Sequence, residues 1–260
     1  MKSESNVSRM TEKKLHRRIV LLTALFLLCV AAISVWFLAK CRVKTLEIVG
    51  TNVVSQVSVM DAAAIRADTH LYAVDLDSVA SDVRAVSPYI RSVKVRRVLF
   101  QGIRITVDEY PARYYLQSES GCLILSEELI PLEFVPDELS AAEIAPTKLS
   151  LPPIKQPAFG KKIEFADADS AAPKLLSTFR TSVIAPRVSA IDLSSTQDIR
   201  AELDGGKYTF LCGSPDGLSE KLHHCGETLA YLDRTMKHVS GILRAEGTGA
   251  VSFEMTGVVE

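Results

Sequence analysis

Residues 90–112 read IRSVKVRRVLFQGIRITVDEYPA. Over Ile90–Leu99, Val93 and Val95 alternate with Lys94 and Arg96, with Val98 and Arg97 continuing the two sets out of strict step. After Gly102, Ile103, Ile105 and Val107 alternate with Arg104, Thr106 and Asp108. A period of two puts successive side chains on opposite faces of a strand. Gly102 turns the chain, so the stretch predicts a hairpin with one apolar face to bury and one wet face. The preceding residues supply a cover. Leu76, Val79, Val83 and Val86 recur on one face of a helix over Asp75–Val86, which Pro88 stops. Ser55–Ala67 carries Val59, Ala63 and Ile65 in a weaker helical spacing. Val43, Leu46 and Ile48 mark a short strand ended by Gly50-Thr51-Asn52. Residues 42–111 therefore run strand, helix, helix, strand, strand, and helices on one side of such a sheet make a small α+β domain.

Ahead of this domain, residues 19–38 read IVLLTALFLLCVAAISVWFL, with no charge and only Thr23 and Ser34 polar. Twenty residues rising about 1.5 Å each cover roughly 30 Å, the thickness of a bilayer's hydrocarbon core. Lys2, Arg9, Lys13, Lys14, Arg17 and Arg18 precede the run; Lys40, Arg42 and Lys44 follow it, soon joined by Glu47. The larger basic excess predicts a cytoplasmic tail over 1–18, a single transmembrane helix over 19–38 and an extracytoplasmic remainder. A cleaved signal would need a shorter apolar core and small residues at the cut. Lys40 before Cys41 likewise spoils a lipoprotein signal.

Beyond Pro111 the chain predicts a mostly antiparallel β domain with flanking helices over 112–256 and a tail over 257–260. Short strands are expected at Ala112–Leu116, Cys122–Leu125 and Ile130–Phe134. A loop follows with Pro146, Pro152, Pro153 and Pro157, read as a connector outside the core. Asp169–Ser182 reads as a helix. Strands follow at Val188–Leu193, Ile199–Leu203 and Tyr208–Cys212, the last two joined through Asp204-Gly205-Gly206-Lys207. Leu218, Leu222, Cys225, Leu229 and Leu232 stripe a helix. Strands Gly241–Ala245 and Ala250–Met255 flank the turn Glu246-Gly247-Thr248-Gly249.

An apolar fraction of 47% and a net charge of −1 suit a sizeable core and argue against a nucleic-acid binder. Five cysteines, three of them in the body of the chain, do not make a disulfide framework, although a Cys212–Cys225 bridge is open in an oxidising compartment. S-x-x-K, H-E-x-x-H, G-x-S-x-G and phosphate-loop patterns are all missing from the sequence. His223-His224-Cys225 cannot converge on one metal from a regular helix, because adjacent side chains point about 100° apart. Ser219-x-Lys221 reads as a solvated lysine on a helix. Arg91, Lys94, Arg96 and Arg97 read as the wet face of a strand, or as a face turned to a membrane or partner. The expectation is no enzyme, no cofactor and no metal.

The order of parts resembles the FtsQ/DivIB family of bacterial cell-division proteins. Val43-Lys44-Thr45-Leu46-Glu47-Ile48-Val49-Gly50-Thr51-Asn52 is similar to the first strand and turn of that family's POTRA domain. Leu71-Tyr72-Ala73-Val74-Asp75 resembles the turn before its second helix, and Pro88–Arg97 its P-W-V-x-x-A-x-V-x-R segment. Gly102–Ala112 resembles its closing strand, and Leu151-Pro152, Val188–Leu193, Glu220-Lys221-Leu222 and Ile242-Leu243-Arg244 fit the order of its β domain. Phe100-Gln101, Tyr110 and Gly241 depart from the family pattern. The resemblance implies a non-enzymatic inner-membrane scaffold at the division septum, with partners of FtsB and FtsL type. It further implies that an FtsB-type partner adds a strand to the edge formed by Ala250, Val251, Ser252, Phe253 and Glu254, with Phe253 as apolar anchor and Lys221 and Arg244 as charge partners. The alternative placement has Val251 and Phe253 facing the core, Ser252 and Glu254 facing water, and the tail covering the edge. A transport or secretion component built on POTRA-like domains is the competing function, and it expects several such domains or a β-barrel.

Overall fold

The computed structural model describes residues 20–36, 41–98, 102–236, 238–247 and 249–258. The expected tail 1–18, residues 19, 37 and 38 of the expected span, Leu99, Thr248 and residues 259 and 260 lie outside these. Helix α1 runs over 20–36. Its apolar side chains, Leu21, Phe26 and Trp36 among them, are exposed. Thr23 Oγ1 and Ser34 Oγ donate back to the carbonyls of Val20 and Val30 at 2.9 and 2.8 Å, so the helix satisfies its own polar side chains. Among the described residues no helix is long and apolar enough to cross a membrane.

The folded part divides into two units, residues up to Val86 with Ser92–Asp108, and Ser87–Arg91 with Glu109 onward. The first unit holds β1 (Thr45–Val49), α2 (Gln56–Ala63), α3 (Leu76–Arg84) and, apart from Ile90, Arg91 and Glu109, strands β2 (Ile90–Val98) and β3 (Gly102–Glu109). Its sheet order is β1-β3-β2, with β1 parallel to β3. Both helices begin at side-chain caps. Ser55 Oγ accepts from the Val57 N–H, and Asp75 Oδ1 accepts from the N–H groups of Asp77 and Ser78. The expected first helix stops at Ala63, well short of Ala67, because Ala64 turns left-handed at φ 48°. Gly102 is required where it stands: a Cβ there would lie 2.0 Å from the carbonyl oxygen of Thr45 on β1. Val59, Val79, Val83, Ile103, Ile105 and Val107 form the buried layer between helices and sheet. Lys94 and Arg96 are exposed, as the alternation implies, and Arg91 is exposed too although it shares the parity of Val93 and Val95. Arg97 does more. Its guanidinium donates to the carbonyls of Leu71 and Val74 at 3.0 and 2.8 Å and lies over the Tyr72 ring, pinning the turn before α3.

The second unit is built on one nine-stranded sheet, ordered β12-β11-β10-β9-β8-β7-β4-β5-β6. Its strands are β4 (Ala112–Ser118), β5 (Gly121–Ser126), β6 (Pro131–Val135), β7 (Thr147–Ser150), β8 (Val188–Asp192), β9 (Ile199–Leu203), β10 (Tyr208–Gly213), β11 (Val239–Glu246) and β12 (Ala250–Val258). Three of the neighbour pairs, β4/β7, β7/β8 and β10/β11, are parallel and the rest antiparallel, so the sheet is mixed but mainly antiparallel. Helices α5 (Ala172–Thr181) and α6 (Leu218–Thr235) cover one face, where Leu149, Phe179, Leu203, Tyr208, Phe210, Leu222, Leu229 and Leu243 pack into one core. Helix α4 (Glu138–Ile144) precedes β7 and packs on β4, β5 and β6.

Two expectations are corrected. The proline-bearing stretch is not wholly a connector: β7 sits in mid-sheet between β4 and β8, with Thr147 and Leu149 buried. Pro146 and Pro152 bracket this strand without entering it, so the missing proline N–H costs the ladder nothing. The terminal strand runs on through Gly257 to Val258, two residues past the expected boundary at 256.

Candidate functional site: the open edge at β12

Strand β12 is the outermost strand on one side of the sheet, and among the described residues no strand pairs with its far side. It pairs antiparallel with β11, Ala245 opposite Val251, Arg244 opposite Ser252, Leu243 opposite Phe253 and Ile242 opposite Glu254. Alternation then sorts the expected site residues. Val251 and Phe253 are partly buried and pack on the core under α6; Ala250, Ser252 and Glu254 are exposed on the other face. The Phe253 ring meets Tyr208 edge-on, with centroids 6.2 Å apart at 68°. Gly241 is what admits it: a Cβ there would stand 2.6 Å from the Phe253 ring and 2.3 Å from the Glu254 carbonyl oxygen. Glycine at position 241 thus has a packing reason.

The backbone of β12 can be oriented from one contact. Ser252 Oγ donates to the Arg244 carbonyl oxygen at 3.4 Å. A side chain on β12 reaches that oxygen only if it points toward β12. In an antiparallel ladder, opposite residues then exchange bonds as a pair, so Arg244 and Ser252 turn their N–H and C=O groups toward each other. The Glu254 carbonyl, close over Gly241, follows the same parity. The intervening residues turn the other way. The free edge is therefore written by the N–H and C=O groups of Val251 and Phe253, while their side chains stay with the core.

The two expected charge partners fare differently. Arg244 is exposed, directly across from Ser252, and no ion pair ties it among the described residues. Lys221 is not a solvated lysine. It is only 5% exposed, and its Nζ donates to the carbonyls of Cys212 and Ser214 at 3.0 and 2.8 Å. The ladder of β10 shifts register between Leu211 and Gly213, and this frayed strand end draws the ammonium inward. Lys221 thus fastens α6 to β10 and offers no exposed charge. Residues that the pattern did not single out stand on the strand itself: Met255 is 58% exposed and Val258 is exposed as well, two apolar side chains in the C-terminal half of β12.

The remaining chemistry is structural. His224 Nδ1 lies 2.9 Å from Glu227 Oε2, and His223 also turns to Glu227, while Cys225 points into the core. Burial pushes the Cys225 thiol up to about 12 and raises that of Cys212 further, so both stay protonated. Lys148 Nζ contacts Glu138 Oε1 at 2.6 Å and Tyr115 Oη donates to the same oxygen at 3.3 Å, fastening α4 to β4 and β7. The lysine's hydrogen bond holds the Glu138 carboxyl below its ordinary value, while burial pushes the Tyr115 phenol up to about 12.

Residues 41–110 match the family model described as POTRA domain, FtsQ-type. No curated protein matches the sequence.

Proposed function

We infer, from the premise that an FtsQ-type POTRA domain supports placing this chain in the FtsQ/DivIB family, that it is a non-enzymatic membrane-anchored scaffold of the cell-division machinery. In this reading the apolar run 19–38, of which 20–36 is helical, crosses the inner membrane once, and the basic tail 1–18 stays in the cytoplasm. The two folded units then lie outside the membrane at the septum. They link early and late division proteins through partners of FtsB and FtsL type. The single observation that carries the partner reading is the open β12 edge. A partner strand would bond to the backbone of Val251 and Phe253, extending the nine-stranded sheet by one. Ala250, Ser252, Glu254 and Arg244 would flank it on the exposed face, and Met255 and Val258 would offer apolar contact further along.

The test is co-purification of the full chain with an FtsB-type coiled-coil partner from detergent-solubilised membranes. Val251→Pro removes an outward N–H and keeps a side chain of similar size, so the fold should survive and the partner be lost. Partner recovery unchanged by Val251→Pro, with the fold intact, sinks the strand-addition reading.

A further inference from the structure

We propose that the end of the first unit that follows the apolar run is a lipid-facing surface, seated on the anionic phospholipid headgroups of the bilayer that anchors the chain. The inference rests on the single-span reading above, and the length of the tether carries it. In that reading the hydrocarbon ends at residue 38, while Cys41 is already buried in the folded unit, 4% exposed. From 38 to 41 the chain makes three Cα steps of at most about 3.6 Å, so Cys41 stays within roughly 11 Å of the hydrocarbon, in or just above the headgroup layer.

What is stitched to Cys41 comes down with it. The Leu71 N–H donates to the Cys41 carbonyl at 2.9 Å, the Val43 N–H to the Thr69 carbonyl at 2.9 Å, and the Asp68 N–H to the Val43 carbonyl at 3.1 Å. Arg97, bonded to the Leu71 and Val74 carbonyls, brings the end of β2 to the same place. Here Arg42, Lys44, Arg66 and Arg97 are exposed, against Asp68 and the α3 cap Asp75. Tyr72 is 47% exposed, with the Arg97 guanidinium 5.6 Å from its ring centroid. A basic excess around an aromatic ring is the composition of a headgroup contact, where the ring sits at the interface and cations meet lipid phosphate. The excess is local. Strand β1 carries the chain about 13 Å from Thr45 to Val49, and residues 49–60 hold no charge at all.

The test reconstitutes the full chain in vesicles of equal parts phosphatidylglycerol and phosphatidylcholine, and in vesicles of phosphatidylcholine alone. Photoreactive benzoylphenylalanine stands at position 72, with exposed position 49 as control, and lipid adducts are measured by mass spectrometry. The expected result is a phospholipid adduct at least about fivefold stronger from position 72 than from 49, and stronger in the anionic vesicles. Lys44→Gln and Arg66→Gln should each lower it about fivefold, the loss of one cation near an anionic surface. Both change exposed side chains, and thermal unfolding verifies that the fold stays in place. Alkaline carbonate washing separates the two layers of the argument. A chain stripped from the vesicles overturns the anchor and this proposal with it. A chain that stays embedded, yet gives equal adducts from 49 and 72, equal adducts in the two kinds of vesicle, or yields indifferent to both glutamines, overturns the proposal alone.

Discussion

Proline substitution at two adjacent residues of β12 separates the two sides of the strand. Ser252 turns its N–H to the Arg244 carbonyl, and Val251 turns its own away from the sheet. Ser252→Pro removes one ladder bond, about 0.5–1.5 kcal/mol, and strips the Arg244 carbonyl of its backbone donor, a loss of about 1–3 kcal/mol where water cannot replace it. Taken with the clash of the pyrrolidine ring against β11, a loss of about 2–4 kcal/mol follows. Val251→Pro removes no ladder bond. It alters only part of a half-buried side chain, so its cost should stay below about 1 kcal/mol. Urea denaturation of the purified chain, followed by the fluorescence and near-ultraviolet signals of the second unit's tyrosines, reads both. Midpoints that fall equally for the two variants, or fall further for Val251→Pro, would refute the assigned backbone parity.

Three further outcomes follow from the same packing. Phe253→Ala should cost about 2–3 kcal/mol, since it forfeits a partly buried ring and its edge contact with Tyr208; a cost under about 0.5 kcal/mol in the same unfolding experiment would show the ring to be unpacked. Lys221→Ala leaves the Cys212 and Ser214 carbonyls without their donor and should destabilise the chain by about 2–4 kcal/mol, with little relief from Lys221→Met; stability unchanged in either variant contradicts the fastening role. The Glu138 carboxyl is held low by Lys148, so the stability it lends is full above the ordinary glutamate pKa and lost as pH falls through and below that value. Both groups are more than a third exposed or close to it, so the effect is modest. Lys148→Met should flatten the acid limb of a Tm-against-pH curve, and an acid limb of unaltered slope would count against the pair.

The first unit was legible because its pattern is periodic. Ile103, Ile105 and Val107 alternate without interruption, and Val79 and Val83 repeat one helical face. The two stretches read as helical begin at Ser55 and Asp75, and these residues turn out to be the N-caps of α2 and α3. The centre of the second unit was harder. β7 has four residues between prolines, too few to show a period, and its place in mid-sheet depends on parallel pairing with β4 and β8 far away in the chain. Lys221 misled for a different reason. A charged residue on a helix is ordinarily wet, and only the irregular end of β10 supplies the carbonyls that draw it in. At β12, alternation separated Val251 and Phe253 from Ser252 and Glu254, but not which set faced the core. That choice rests on α6 crossing the sheet beside Phe253. The outward backbone at Val251 and Phe253 was beyond reach of any pattern, because side-chain alternation does not say which strand face carries the neighbour.

Amide hydrogen exchange at single-residue resolution over 250–258, with and without an FtsB-type partner bound to the full chain, tests strand addition most directly. In the free chain Ser252 and Glu254 should be protected and Val251 and Phe253 exchange quickly; on binding, Val251 and Phe253 should slow markedly while Ser252 and Glu254 hardly change. A bound partner that leaves Val251 and Phe253 exchanging at their free rates would contradict the account.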